Sequence, residues 1–177
     1  LDIESKRSPY RYPEKYENHG YPSFEGEAEF LLARALSGLE GVPSQYVEYI
    51  LERRRSNGSF NNTPASDGSD GNVLNTYAGL RASALFDASR VHFAALVEWL
   101  RECQLPDGGM MHQPHPEIGG VSDVAYTWAA VKSLELLGAK PKDVESCIQF
   151  LSSLANVDGG FGDRPGWKSN PRATYYA

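Results

Sequence analysis

Residues 106–110, Pro-Asp-Gly-Gly-Met, decide the fold because similar loops stand about 50 residues before and after them. The earlier copy is Ser-Asn-Gly-Ser-Phe at residues 56–60, and the later copy is Val-Asp-Gly-Gly-Phe at residues 157–161. A fixed period of this length is typical of stacked supersecondary units, each of which buries its apolar face against the next. In each copy a glycine can adopt positive φ and end the preceding helix. A large apolar residue two positions later can then return to the core.

Apolar residues at helical spacing precede each loop and share its register, which predicts a helix with a core-facing stripe in every repeat. Two sets of equivalent positions lie on these stripes: Val47, Val97 and Ile148, and Ile50, Leu100 and Leu151.

A second helix is predicted after each loop. Asn72-Val-Leu-Asn-Thr-Tyr-Ala is matched 51 residues later by Asp123-Val-Ala-Tyr-Thr-Trp-Ala, and 48 residues further by Pro171-Arg-Ala-Thr-Tyr-Tyr-Ala. Asn72 and Asp123 suit N-caps, and Pro171 suits a first helical turn. Upstream, residues 27–39 predict another helix, ended by Gly41 and Pro43, with Ser44 capping the next. The order predicts an all-α fold of tandem helical hairpins with about seven helices.

Composition bounds the domain organisation and the classes of function. Residues 1–23, rich in Pro, Tyr and charge, predict an extended N-terminal arm, and residues 24–177 form the repeat domain. The net charge of −6 argues against nucleic-acid binding, where basic patches dominate affinity. The sequence contains no run of 18 apolar residues, so it predicts no membrane span. No apolar segment of a secretory signal is visible, which favours a cytoplasmic location over secretion without establishing it.

The residue pattern of the repeats resembles that of a known superfamily. Glu98-Trp-Leu-Arg-Glu-Cys-Gln-Leu-Pro-Asp-Gly-Gly-Met and Asp158-Gly-Gly-Phe-Gly-Asp-Arg-Pro-Gly-Trp-Lys-Ser-Asn-Pro-Arg-Ala-Thr-Tyr-Tyr-Ala resemble the repeat of squalene-type cyclases and protein prenyltransferase β subunits. The resemblance covers residues 27–177. It implies an arc of an α/α toroid, in which the helices after the Gly-containing loops form the inner ring. It also implies an aromatic-lined cavity for an isoprenoid chain, and a fragment of a longer chain, a protein partner or self-association that completes the ring.

The catalytic features of the superfamily are incomplete in this sequence. Protein prenyltransferases hold zinc with an Asp-x-Cys pair and a later His, but Ala125 follows Asp123 where the Cys should stand, and Ala173 falls near the His position. We therefore predict no metal and no cofactor here, although the zinc repeats of the family come late and these are earlier ones. Class II cyclases use an acidic cluster, of which only Asp123 is present. Asp123 is thus either an N-cap or the candidate catalytic acid.

Several residues are candidates for substrate binding by analogy with the family. Tyr77, Trp128 and Tyr176 align one turn into the inner helices, and Tyr126 and Tyr175 are weaker candidates. These aromatic residues either line the cavity and stabilise cations, or pack the two rings together. Lys168 and Arg172 are candidates for an isoprenoid diphosphate, together with helix N-termini. The alternative is that both are ordinary surface charges.

The sequence predicts an isoprenoid-handling protein, with a non-catalytic toroid acting as a binding or scaffold module as the alternative. A third hypothesis is a carbohydrate-active toroid in which Asp123 works with Glu117 or Glu27. His112, His115 and Glu117 predict a polar loop rather than a metal site, because the sequence places no third ligand beside the two histidines.

Overall fold

The computed structural model describes residues 24–39, 41–86, 93–114 and 119–177, and these ranges confirm the predicted all-α fold of about seven helices. The helices are α1 (Phe24–Leu36), α2 (Ser44–Leu51), α3 (Val73–Ser83), α4 (Phe93–Glu102), α5 (Val124–Leu136), α6 (Val144–Ser153) and α7 (Pro171–Tyr176), with one 3₁₀ turn at Ala65–Asp67. β-Structure within these ranges is limited to isolated bridges. The predicted arm, residues 1–23, lies outside them. None of their helices is long and apolar enough to cross a membrane.

The helices alternate between two layers. In the first layer α1 packs beside α3, α3 beside α5, and α5 beside α7, while α2 and α4 of the second layer pack on α3 and α5. Three successive apolar clusters fill the space between the layers, and each is shared by neighbouring repeats. Their large buried members include Ile50 and Phe60 in the first cluster, Leu100 and Met110 in the second, and Phe150 and Leu154 in the third. This sharing of each core between neighbours is the arrangement expected of a stacked repeat.

The apolar stripe of the second-layer helices is centred one residue earlier than predicted. Ile50 and Leu100 are fully buried as expected, but Val47 and Val97 are only half-buried and Ile148 is 52% exposed. The inward positions are instead Tyr46, Leu96 and Cys147, which are 3%, 2% and 4% exposed. Since adjacent residues are about 100° apart on a helix, a shift of one position moves Val47 and its equivalents to the edge of the buried face.

The three Gly loops, loop 1 (residues 54–72), loop 2 (104–123, with 115–118 outside the described residues) and loop 3 (155–170), have one backbone design. The predicted glycines Gly58, Gly108 and Gly159 all have positive φ, at 89°, 89° and 82°. In each loop the amide of the returning apolar residue donates to a threonine Oγ1 on the following helix. These bonds are Phe60 to Thr76 at 3.1 Å, Met110 to Thr127 at 2.9 Å, and Phe161 to Thr174 at 3.0 Å.

The helices that follow the Gly loops begin with side-chain caps, and the caps correct the predicted register of the third copy. Asn72 and Asp123 cap α3 and α5 as predicted, and Pro171 is the first residue of α7. The third cap is Asn170, whose side chain accepts from the amide of Ala173 at 2.8 Å. The step from Asp123 to the cap of α7 is therefore 47 residues rather than 48, because loop 3 is shorter than loop 2. It follows that Tyr175, not Tyr176, is the structural equivalent of Trp128.

The first hairpin also differs from its predicted boundaries. Helix α1 ends at Leu36, ahead of Gly38 with φ 75°, rather than continuing to Leu39. Ser44 is the first residue of α2 and not its cap, because Pro43 occupies the cap position and no side chain bonds there. A proline immediately before a helix fixes φ near the value that the first turn needs, so α2 starts without a side-chain cap.

Successive repeats are joined through the first amide of each first-layer helix. The amide of Phe24 donates to Asn62 Oδ1 at 2.7 Å, that of Val73 to the His112 carbonyl at 3.0 Å, and that of Val124 to the Asp163 carbonyl at 3.0 Å. Each acceptor lies on the Gly loop of the next repeat. The equivalent residue of α7 is Pro171, which has no amide hydrogen to donate.

Candidate functional site

One aromatic side chain from each of α3, α5 and α7 joins a continuous row, the aromatic row, formed by Tyr77, Trp128 and Tyr176. The ring centroids of Tyr77 and Trp128 are 4.7 Å apart at a near-perpendicular angle of 78°, and those of Trp128 and Tyr176 are also 4.7 Å apart. These are favourable separations for aromatic pairs. All three side chains are half-buried, so the row is partly accessible. The structure thus brings together three of the residues that the sequence singled out.

Two members of the row follow from the repeat. Tyr77 and Trp128 each stand four residues after the start of their helix, as does Tyr175 in α7, whereas Tyr176 stands one residue later. Tyr175 lies 6.3 Å from Trp128 and 5.3 Å from Tyr176, and it is 76% exposed. The sequence comparison missed Tyr175 as the equivalent residue. The signal that identifies it is the threonine before each aromatic residue, Thr127 before Trp128 and Thr174 before Tyr175.

Two charged residues occupy equivalent positions on the first and last helices of the first layer. Glu25 and Arg172 are both the second residue of their helices, α1 and α7. Burial raises the pKa of Glu25, while Arg172 acts in the opposite direction.

Two arginines flank the aromatic row. The guanidinium of Arg81 lies over the ring of Tyr77 at 5.3 Å and forms an ion pair with Glu29. At the other end the guanidinium of Arg172 lies over the ring of Tyr176 at 5.6 Å. Each arginine is four residues from its tyrosine, the spacing that brings side chains together on a helix. Sequence reasoning missed Arg81, although this spacing was visible in it.

Two other predicted substrate-binding residues lie apart from the row. Tyr126 stands two residues before Trp128, on a different face of α5, and its ring packs against that of His112 at 5.1 Å. Lys168 is exposed on loop 3. The structure therefore places Arg172 beside the row, and Tyr126 and Lys168 at the loop end of the same layer. Their predicted roles in binding remain predictions.

Asp123 has the position of a structural cap. Its Oδ1 accepts from the amide of Ala125 at 3.0 Å, and its Oδ2 lies 3.6 Å from Nε of Arg164, which is an ion pair beyond hydrogen-bond distance. The guanidinium of Arg164 in turn lies over the Trp167 ring at 5.1 Å. The Asp123 carboxylate is thus engaged by the start of α5 and by an arginine of loop 3. A catalytic role for Asp123 remains a prediction.

The residues at the zinc positions do not fit a zinc ion. Ala125 and Ala173 are buried alanines with no ligand atom, and the parts of the chain that the structure describes contain no group of three or more His, Cys, Asp or Glu arranged for a metal. His115 and Glu117 lie outside those parts. Glu27, the other acid proposed to pair with Asp123, is fully buried within α1.

Both cysteines are buried and free, and burial raises the pKa of each thiol. A raised thiol pKa disfavours the thiolate, which is the form that binds metals and attacks electrophiles. Cys103 and Cys147 therefore belong to the core rather than to a reactive site.

Comparison with known proteins places these features in one family. The model of the prenyltransferase α/α-toroid domain matches residues 28–177. The β subunit of geranylgeranyl transferase type-2 from Candida albicans is 30% identical over 126 residues, covering 64% of this chain and 35% of that protein. The corresponding subunit from Saccharomyces cerevisiae is 27% identical over 106 residues, covering 57% of this chain and 31% of that protein.

A solved structure shares the fold. It is that of Candida albicans protein geranylgeranyltransferase-I complexed with GGPP, with a TM-score of 0.74 and 21% identity over 90% of this chain and 48% of that one. The chain spans about a third of the length of the curated relatives it matches. The matched residues include all three Gly loops and the aromatic row, and on this evidence the chain belongs to the prenyltransferase α/α-toroid domain family.

Proposed function

We propose that this chain binds an isoprenoid chain along the aromatic row, on the concave side of an arc that forms the inner ring of a toroid. The observation that carries the proposal is the contact of Tyr77, Trp128 and Tyr176 across three helices. A half-buried row of rings offers an extended apolar surface to a branched hydrocarbon. The fold is that of a protein in complex with GGPP, which supports this class of ligand.

The head group of a prenyl diphosphate would lie at the loop end of the first layer, near Arg172 and Lys168. Arg172 is exposed and already lies over the last ring of the row, so its charge is within reach of a ligand that follows the row. Guanidinium groups suit phosphate oxygens because they offer several hydrogens in a planar fork.

We further propose that the protein works in a larger assembly. The relatives are named as β subunits, and this chain matches about a third of each. Three and a half hairpins correspond to part of a toroid, so further residues of a longer chain, a partner or a second copy would complete the cavity.

Isothermal titration of the full chain with geranylgeranyl diphosphate tests the proposal. We expect Trp128→Ala to weaken binding about tenfold, because the central ring of the row contributes its buried area and both of its ring contacts. Trp167→Ala is the matched control, since this indole lies on loop 3 and is 53% exposed. Thermal melts check that both variants fold. Absence of binding by the parent protein, or equal losses in the two variants, would contradict the proposal.

The buried alanines at the zinc positions favour a second candidate, a toroid that binds an isoprenoid without transferring it. This candidate predicts binding in the titration but no release of diphosphate from geranylgeranyl diphosphate when an acceptor peptide and zinc are added. Release above the rate without protein would eliminate it.

A further inference from the structure

Loop 2 is covered by α6, the second-layer helix of the following repeat. The side chain of Gln104 exchanges two hydrogen bonds with the backbone of Asp143, the cap of α6. Its Nε2 donates to the Asp143 carbonyl at 2.7 Å, and its Oε1 accepts from the Asp143 amide at 2.8 Å. One turn into the helix, a Cβ added to Gly108 would lie 1.9 Å from the Ser146 carbonyl. Helix α6 therefore lies directly against the loop backbone at the positive-φ glycine.

The ring of Phe150 fills the space beside the next residue of loop 2. A Cβ added to Gly109 would lie 2.8 Å from this ring. Phe150 stands seven residues after Asp143, so the cap and the ring are about two turns apart and face the same loop. Met110, the returning apolar residue of this loop, is fully buried. A cap, a close backbone contact and a large apolar ring together hold α6 on loop 2.

The equivalent surface on loop 3 is open among the described residues. Ala155 takes the place of Gln104, because each forms an isolated bridge with the returning apolar residue of its loop, Phe161 or Met110. A Cβ added to Gly159, the positive-φ glycine, meets nothing within 4 Å. Phe161 is only half-buried, whereas Met110 is fully buried. The contacts that α6 makes with loop 2 thus have no counterpart on loop 3.

A groove of about 580 Å³ lies at this open surface. Its lining includes Asp158 and Gly160 of loop 3, and Thr174 and Tyr175 of α7. Gly160 is the counterpart of Gly109, which contacts the Phe150 ring in loop 2. Val157, beside the groove in sequence, is fully exposed, and Tyr175 is 76% exposed. Large exposed side chains around a groove favour an apolar occupant.

We infer that the loop 3 groove docks an amphipathic α-helix of a partner in the way that loop 2 docks α6. The partner helix begins beside Ala155, passes close to Gly159, and places a side chain of the size of phenylalanine against Gly160 two turns later. The interface is continuous with the one that α6 makes, one step further along the array, and stacked repeats reuse one interface. The inference rests on the assembly part of the proposed function and names the element that joins.

The test uses a fluorescent peptide with the sequence of residues 140–155, which contains α6, as the probe for the full chain. Fluorescence anisotropy under reducing conditions measures its dissociation constant. We expect the parent chain to bind this peptide, and a peptide with Phe150→Ala to bind at least tenfold more weakly, because the ring supplies the large apolar contact.

Two variants of loop 3 act in opposite directions. Gly159→Asn should weaken peptide binding at least tenfold, since a side chain there blocks the close approach that α6 makes to Gly108, and asparagine tolerates positive φ. Gly166→Asn is the matched control, because this glycine of loop 3 also has positive φ and open space but does not line the groove. Ala155→Gln should tighten binding about fivefold by restoring the two bonds to the helix cap.

Thermal melts check that the variants fold. No binding of the peptide up to about 1 mM, or equal affinities in Gly159→Asn and Gly166→Asn, overturns the inference. Dimerisation of the parent that Gly159→Asn abolishes also overturns it, because the groove then belongs to a second copy. Titration of the same samples with geranylgeranyl diphosphate separates the two proposals. Binding of the diphosphate without the peptide overturns this inference alone, and binding of the peptide without the diphosphate overturns the isoprenoid proposal alone.

Discussion

Loop 1 differs from loops 2 and 3 in the position of the serine whose hydroxyl bonds within the loop. In every loop one serine Oγ donates to the side-chain oxygen of the residue before the positive-φ glycine. In loops 2 and 3 the donors are Ser122 and Ser169, which directly precede the helix cap and bond Asp107 at 2.6 Å and Asp158 at 2.7 Å. In loop 1 the donor is Ser59, on the opposite side of the loop, and it bonds Asn57 at 2.7 Å.

The loops exchange glycine and serine between two facing positions. Loop 1 has Ser59 opposite Gly71, and loops 2 and 3 have glycine opposite serine, as in Gly109 and Ser122. A Cβ added to Gly71 would lie 2.1 Å from Ser59 Oγ, and one added to Gly109 would lie 2.6 Å from Ser122 Cβ. There is room for one side chain only. Each loop thus keeps one serine hydroxyl in this space, and either of the two facing positions can supply it.

The largest effect that we expect comes from comparing loops 2 and 3 at their positive-φ glycines. A Cβ on Gly108 would lie 1.9 Å from the Ser146 carbonyl, whereas one on Gly159 meets nothing within 4 Å. Gly108→Ala should lower the free energy of unfolding by at least about 3 kcal/mol, because α6 must move. Gly159→Ala should lower it by about 1 kcal/mol, from the backbone strain alone. Urea denaturation measures both. Similar losses of unfolding free energy in the two variants would show that the contact with α6 does not contribute.

The second prediction transplants the arrangement of loops 2 and 3 into loop 1. Gly71→Ser alone should destabilise the protein by about 2 kcal/mol, because two side chains then compete for one space. Adding Ser59→Gly should recover most of the loss by restoring a single hydroxyl near Asn57. The coupling in a double-mutant cycle measured by urea denaturation should exceed about 1 kcal/mol. Additive effects would mean that the two positions are not interchangeable.

The third prediction concerns the threonine that each loop uses as an acceptor. Thr127 is fully buried and Thr174 is exposed, although their bonds to the loop amides have similar lengths. Thr127→Val should lower the free energy of unfolding by about 2 kcal/mol, since it leaves the buried amide of Met110 without an acceptor. Thr174→Val should cost less than about 1 kcal/mol because water can replace the hydroxyl. Thermal melts that ranked Thr174→Val above Thr127→Val would be inconsistent with this account.

The smallest effect is a difference in acid sensitivity between loops 1 and 3. The Ser169 hydroxyl and the Gly160 amide lower the pKa of Asp158. The stabilisation is complete above the unfolded pKa of about 3.9 and is lost as the pH falls through the lower folded pKa. Asn57, the equivalent in loop 1, does not titrate. Asp158→Asn should reduce the fall in Tm between pH 6 and pH 2.5, and Asn57→Asp should increase it. Identical falls in both variants would contradict the prediction.

The fold was predictable because its signals are local and repeated. Glycine loops, caps and apolar stripes recur at nearly equal steps, so errors were confined to single residues, such as the centre of the stripe at Tyr46 and the cap at Asn170. The aromatic row was predictable from helix position for Tyr77 and Trp128. The ion pair of Arg164 with Asp123 was not, because it depends on how loop 3 packs against the start of α5. No spacing in the sequence encodes that packing.

Pro171 has a consequence for how the array unfolds. Hydrogen bonds link each repeat to the next through the first amides of α1, α3 and α5, so local opening of one repeat weakens its neighbour. This transmission stops at α7, whose first residue has no hydrogen to offer. An element packed beyond α7 cannot be joined by this bond, and hydrogen exchange should reveal a boundary between cooperative units at this helix.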